Sequence, residues 1–139
     1  MPRKLYLIGS LRNPAVPELA NDLRKLGYDV FDDWYAAGEI ADDAWRDYEK
    51  GRGHNFQQAL EGYAANHVFT FDRHHLNESD IGVLLLPAGK SGHLELGYLI
   101  GRGHPCYIVY PKEPERYDVM YLFAKRVFTS AEELVNHLK

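Results

Sequence analysis

The stretch SDIGVLLLPAGKSGHLELGYLIGRGHPCYIVYP, residues 79–111, decides how this chain is read. Residues 81–86 form a nearly unbroken apolar run, the pattern of a parallel strand buried on both faces. A turn over 87–91 follows, then a helix, then a second apolar run at 105–110. In open α/β sheets, ligands bind beyond the carboxyl ends of such strands. One carboxylate, Glu95, stands at the mouth of this unit. The spacing predicts it in the first helical turn, near free backbone N–H groups and facing the crevice. Its plainer role would be a helix-start glutamate favoured by the positive end of the helix dipole. A capping box is ruled out, because Ser91 and Glu95 are four apart and the box needs three. Leu94, Gly97, Tyr98 and Gly101 are expected to pack on the sheet, which sets Glu95 beside the core edge, where desolvation and backbone donors tune a carboxylate.

Outward from this unit, short apolar runs at 4–9, 29–31 and 126–128 add three more strands, and amphipathic stretches alternate with them. Val16, Leu19, Leu23 and Leu26 recur at helical spacing before the helix stop Gly27. Thr129 and Ser130 cap a last helix over 131–138. The crossover over 42–77 is long; it contains GRGHNF at 51–56 and a predicted helix over 57–71, and is a candidate lid or partner-contacting insert. Repeated β-α units with right-handed crossovers give an α/β three-layer sandwich of about five parallel strands, Rossmann-like or flavodoxin-like. At 139 residues the chain has the size of one domain.

A formal charge of −4 gives no general electrostatic reason to bind a nucleic-acid polymer or an anionic membrane, so a small ligand is expected. The single cysteine, Cys106, lies in an apolar run and reads as a buried filler. That fits a reducing cytosol, and the apolar run near the N-terminus is too short for a signal peptide or a membrane span. Seven histidines are present, but none falls in a metal-binding spacing, so no metal is invoked. His93, beside Glu95, is the one to watch.

Two phosphate motifs fail on inspection. Gly89-Lys90-Ser91 resembles the end of a P-loop, yet Leu84 stands where its first glycine belongs. Gly101-Arg102-Gly103 ends a helix instead of opening one, and Cys106 stands where a third glycine is required. A different anion cradle is readable at the end of the first strand. There Gly9, Ser10, Arg12 and Asn13 offer backbone N–H groups, a hydroxyl and a guanidinium, and Ser91 and Gly92 from the neighbouring strand's loop could complete it. Asp33 and Trp34, after Asp32 at the end of the second strand, pair a carboxylate with an aromatic that could hold a flat heterocycle; core packing explains Trp34 equally well. Asp72 and Asp80 frame FDRHHLNESD, with Asp80 directly before the central strand; surface pairing with Arg73 and turn capping are their plainer roles.

Taken together, YLIGSLRN at 6–13, the Asp72 and Asp80 pair eight residues apart, and the Glu-Leu-Gly of SGHLELGYLIGRGHP resemble the nucleoside 2-deoxyribosyltransferase family, which includes the 2'-deoxynucleoside 5'-phosphate N-hydrolases. The likeness spans most of the chain. It implies that Glu95 is the nucleophile, that Asp72 holds or protonates the base, and that Tyr6 occupies an N-terminal aromatic position of the site. The implied reaction is a retaining displacement at C1' through a covalent 2-deoxyribosyl intermediate, resolved by water or a second base, without metal or organic cofactor. The implied partners are a small nucleoside or nucleotide and further copies of the chain in a homo-oligomer, with 117–123 a candidate contribution in trans. Where the transferases carry acidic residues before the nucleophile, this loop reads Pro-Ala-Gly-Lys-Ser-Gly-His. Lys90, Ser91, Ser10 and Arg12 look more like the phosphate-cradling loops of the N-hydrolase branch. Two other readings stand beside this one: a non-catalytic nucleotide-binding or sensing module, and a glycohydrolase acting on NAD.

Overall fold

The computed structural model describes residues 2–139. Five strands, β1 Lys4–Ile8, β2 Asp29–Phe31, β3 Ile81–Leu85, β4 Cys106–Val109 and β5 Arg126–Phe128, form one all-parallel sheet in the order β2-β1-β3-β4-β5. This is the flavodoxin-like order, with its switch point between β1 and β3, and it decides between the two expected α/β arrangements. The five strand positions expected from the sequence hold, with ends shifted by one residue in three of them. Registers such as Leu5↔Ile81 and Leu84↔Ile108 keep the central strands level, so their carboxyl ends open onto one edge.

Alternation along β1, β3 and β4 divides their side chains between two faces. Leu5, Leu7, Val83, Leu85 and Val109 meet helices α1 Ala15–Lys25 and α6 Ala131–His137 through Val16, Leu19, Leu23 and Leu134. Tyr6, Ile8, Leu84 and Ile108 point the other way, against Leu76, Leu96 and Leu99. Both layers are therefore required to dry the sheet. Each fully buried leucine or isoleucine contributes about 2 kcal/mol of transfer free energy. Cys106 belongs to the second cluster, and burial pushes its thiol up to about 11, in keeping with a filler.

Helix ends follow local chemistry. Pro17 in the first turn of α1 costs no hydrogen bond, and Gly27 closes the helix at φ 99°. Ser130 Oγ accepts from the Glu133 amide to start α6. Among the described residues no helix is long and apolar enough to cross a membrane.

The long crossover departs from expectation. It is built from a 3-10 turn at Asp33–Ala37 and three helices, α2 Ala41–Gly51, α3 Phe56–Leu60 and α4 Tyr63–Glu78, instead of one helix over 57–71. Asn55 and Gln58 form a reciprocal capping box that starts α3, and the extended Gly62 breaks the chain before α4. Beyond residue 71, helix α4 continues because Leu76 packs into the core cluster under Phe31 and Ser79 Oγ donates to the His75 carbonyl at the end of the helix. Asp72 consequently sits in mid-helix, facing the sheet crevice.

Candidate active site

Glu95 lies on α5, Lys90–Gly101, one turn further along than expected. The helix begins directly after Gly89, so the free amides belong to the residues of the first turn, and Glu95 stands beyond them. The early start follows from packing: a Cβ at Gly92 would lie 3.0 Å from Ile8 Cγ2 and 3.2 Å from Leu84 Cδ1, so glycine lets the first turn press onto the strand ends without displacing those side chains. That placement also turns the helix. Gly92, Leu96 and Leu99 face the sheet, while Leu94 is 75% exposed and Tyr98 37% exposed, which corrects the expected packing face. Gly103, at φ 88°, and its N–H to Ile100 carbonyl contact end α5, as expected for a cap.

Among the described residues no amide donates to the Glu95 carboxyl, and its partner is a side chain. Tyr6 rises from β1, fully buried, and its hydroxyl donates to Glu95 Oε2 at 2.7 Å. Half-buried Asp72 looks in from α4, close enough that its charge raises the pKa of both. Burial pushes Glu95 up to about 7, against the opposing hydrogen bond from Tyr6. Burial also raises Asp72, and burial together with the two carboxylates keeps the Tyr6 phenol protonated and a donor. Desolvation wins over hydrogen bonding here because one neutral donor compensates a carboxylate less than water does. Two acids and a phenol thus share a crevice between α4 and α5, over the carboxyl half of β1.

An aromatic wall steadies the phenol. Phe31 packs 5.0 Å from the Tyr6 ring and stacks on His75 at 3.9 Å, with Phe71 closing the group at 5.8 Å from Phe31. His75 is held below the usual histidine range, first by burial and then by Lys4.

Loop 9–13 lies beside the start of α5. A Cβ on Gly9 would meet Val16 Cγ2 at 3.0 Å and the Leu85 carbonyl at 3.4 Å, which ties the loop to the β3 end. Ser10 Oγ accepts from the Arg12 amide and its carbonyl from the Asn13 amide, while Asn13 Oδ1 accepts from the Ala15 amide. The Arg12 guanidinium is 69% exposed and reaches Asp43 Oδ2 at 3.7 Å. Ser91 is exposed in the first turn of α5, beside Gly92, so all six cradle residues stand at one sheet edge.

Other expected site residues are placed differently. Asp80 is at the opposite edge: its Oδ2 accepts from the Lys4 amide at 2.9 Å and its own amide donates to the Lys4 carbonyl at 2.8 Å. It clamps the starts of β1 and β3 and cannot meet a ligand at their ends, because the residue before a strand lies a full strand length from the crevice. Trp34 donates its indole N–H to the Leu7 carbonyl at 2.8 Å and packs against both core clusters, so core packing accounts for it. Asp32 is engaged by Arg24; exposed Asp33, beyond β2, makes no ion pair among the described residues. His93 has both ring nitrogens occupied, Nδ1 by the Gly89 carbonyl at 2.7 Å and Nε2 by the Tyr121 hydroxyl at 2.8 Å. The carbonyl requires a proton on Nδ1, so the neutral ring accepts from Tyr121. Tyr121 belongs to a 3-10 turn, Val119–Phe123, and no local pattern could have linked it to a histidine 28 residues away.

A cavity of about 350 Å³ opens on the other flank of α5, against this 3-10 turn, lined by Leu96, Ile100, Ile108 and Tyr121 among others. It contains none of Tyr6, Asp72 or Glu95. His93, Asp118 and Tyr121 also line it, but the cluster of two carboxyls and a buried phenol lies on the other side of the helix, and that cluster marks the candidate site.

No family model matches the sequence, and no curated protein is significantly similar to it. Solved structures are. A 2-deoxyribosyltransferase from Bacillus psychrosaccharolyticus aligns with 96% of this chain and 90% of its own at 19% identity and a TM-score of 0.63. A CMP N-glycosidase from Clostridium botulinum covers 98% of both chains at 12% identity and a TM-score of 0.58. A conserved protein from Enterococcus faecalis covers 98% of this chain and 96% of its own at 17% identity and a TM-score of 0.68. What this chain shares with the three, over nearly its whole length, is the fold.

Proposed function

We propose that this protein cleaves the N-glycosidic bond of a 2'-deoxynucleoside or its 5'-monophosphate, with Glu95 as nucleophile. The observation that carries the reading is the half-buried Glu95 carboxyl held by the Tyr6 hydroxyl at 2.7 Å, beside Asp72, at the switch point of the sheet. Fold likeness to a 2-deoxyribosyltransferase and to a CMP N-glycosidase supports glycosidic chemistry and leaves room for either acceptor. A Glu95 oxygen attacks C1' as the C1'–N bond breaks, giving a 2-deoxyribosyl ester of Glu95. Asp72, whose proton burial helps to retain, delivers that proton to the departing base. Water, or the nitrogen of a second base, then attacks C1' and releases the ester, with Asp72 taking up the proton. Tyr6 fixes the rotamer of the nucleophile and stabilises its ionised form. The positive charge that develops on the sugar favours the same ionised form, offsetting the cost of a carboxylate pushed up to about 7.

Loop 9–13 and the first turn of α5, with Arg12, Ser10, Lys90 and Ser91, would receive a 5'-phosphate. Incubation with each deoxynucleoside and each 5'-monophosphate, with and without an added base, tests the reading by chromatography of free base. Release from monophosphates without acceptor is expected. Exchange only with acceptor would make the protein a transferase. Silence across the panel, with binding retained, would overturn catalysis in favour of a nucleotide-binding module, and release of nicotinamide from NAD would point to a glycohydrolase.

A further inference from the structure

Arg12 does not wait unpartnered for a phosphate. Its guanidinium points across the mouth of the site to Asp43, in the first turn of α2, at 3.7 Å. Asp43 is held from the other side by Arg46, whose Nη1 lies 3.5 Å from Oδ1. One carboxylate thus bridges the cradle loop and the helix that follows the 3-10 turn. Both members of the Arg12–Asp43 pair are more than half exposed, so the pair is weak and exchangeable. A dianionic phosphate is a stronger partner for a guanidinium than a single carboxylate, but to reach Arg12 it must displace Asp43 and then stand near it.

We infer that Asp43 is a selectivity residue, setting the relative use of 5'-monophosphates and free nucleosides by competing with the phosphate for Arg12. This rests on the glycosidic reading above for its substrates. Physically, the carboxylate occupies the anion seat when the 5' position carries a neutral hydroxyl, and it opposes the entry of a dianion by like-charge repulsion. Arg46 keeps Asp43 oriented, because it is one turn further along the same helix. The neighbouring Asp42 shares the first turn of α2 and its dipole. No contact of Asp42 with Arg12 is found among the described residues.

The test compares Asp43→Asn with Asp42→Asn, which makes the same change in helix charge without touching Arg12. The readouts are the ratio of kcat/KM for a 5'-monophosphate to that for its nucleoside, and the calorimetric Kd of the monophosphate. For Asp43→Asn the ratio should rise, and the Kd fall, by roughly two- to fivefold, the factor that an exposed ion pair corresponds to. Asp42→Asn should move neither, and 0.5 M salt should shrink the Asp43→Asn effect, since both charges are exposed. An unchanged or reduced ratio in Asp43→Asn, or an equal shift in Asp42→Asn, overturns the inference. The binding readout stands apart from turnover. If wild type releases no base yet Asp43→Asn binds monophosphate more tightly, the selectivity role survives and the catalytic reading fails; normal base release with an unmoved Kd means the reverse.

Discussion

Two glutamates in this molecule, Glu49 buried and Glu95 half-buried, have opposite surroundings. Glu49 on α2 is 2% exposed, and its Oε1 meets His54 Nδ1 at 3.1 Å and Arg52 Nη1 at 3.5 Å. Among the described residues Glu95 on α5 has no cation within salt-bridge distance; its partner is a neutral phenol and its nearby charge is another carboxylate, Asp72. The first arrangement sets a cation, Arg52, against one carboxylate oxygen and pins the insert, although the buried Oε2 has no hydrogen-bond partner among the described residues; the second offers its carboxylate only a neutral donor. A carboxylate kept in that state stores free energy that only a positive partner can release, and a sugar ring becoming oxocarbenium-like is such a partner.

Removing the proposed nucleophile should break the contrast most visibly. Glu95→Ala is expected to reduce base release by on the order of 10³-fold or more, whereas Glu49→Ala should act through folding; substantial residual turnover in Glu95→Ala would sink the assignment. Thermal unfolding sharpens the same comparison. The folded pKa of Glu95 lies above its unfolded value, so the proton it binds stabilises the fold at low pH, and that contribution is lost as pH rises through about 7. Glu95→Gln should therefore match wild type near pH 4 and exceed it at pH 8 by up to about 3 kcal/mol. Glu49→Gln, which removes the negative charge facing Arg52 and His54, should lose about 2 kcal/mol. Equal signs for the two variants at pH 8 would contradict the contrast.

Smaller effects follow from the donors. Tyr6→Phe removes the one interaction that lowers the Glu95 pKa, so the rising limb of kcat/KM should move above its wild-type position near pH 7, with roughly tenfold less activity at pH 7 and partial recovery toward pH 9. A uniform loss at every pH would instead mean that Tyr6 acts only through packing. Smallest is Arg12→Ala, expected to weaken monophosphates about fivefold more than nucleosides, given its exposure. Equal loss for both would count against the phosphate cradle.

Much of this architecture is legible one residue at a time. Period-two alternation in KLYLI and the apolar run IGVLL announce strands, and the spacing of Val16, Leu19 and Leu23 announces α1, because burial periodicity is a local property of the chain. Asp80 misled for a related reason: position beside a strand is visible in sequence, but its bond to the Lys4 amide, 76 residues away, is not. Helix α4 runs on past residue 71 although FDRHHLNE offers few apolar residues, because its last turns are fixed by Leu76 packing on a distant strand.

What the sequence determines alone is the set of strands, the helix stops at Gly27 and Gly103, and a glutamate and an aspartate carried toward one edge of a parallel sheet. Each depends on periodicity or on the conformational preference of a single residue. Tertiary structure decides the rest: that Tyr6 and Glu95, 89 residues apart, share a proton donor and an acceptor, that His93 is consumed by Tyr121, and that Arg12 is met by Asp43. Those pairings arise where strand order brings separate loops and helix faces together, and the desolvation that gives Glu95 its character exists only after both helices have closed over β1.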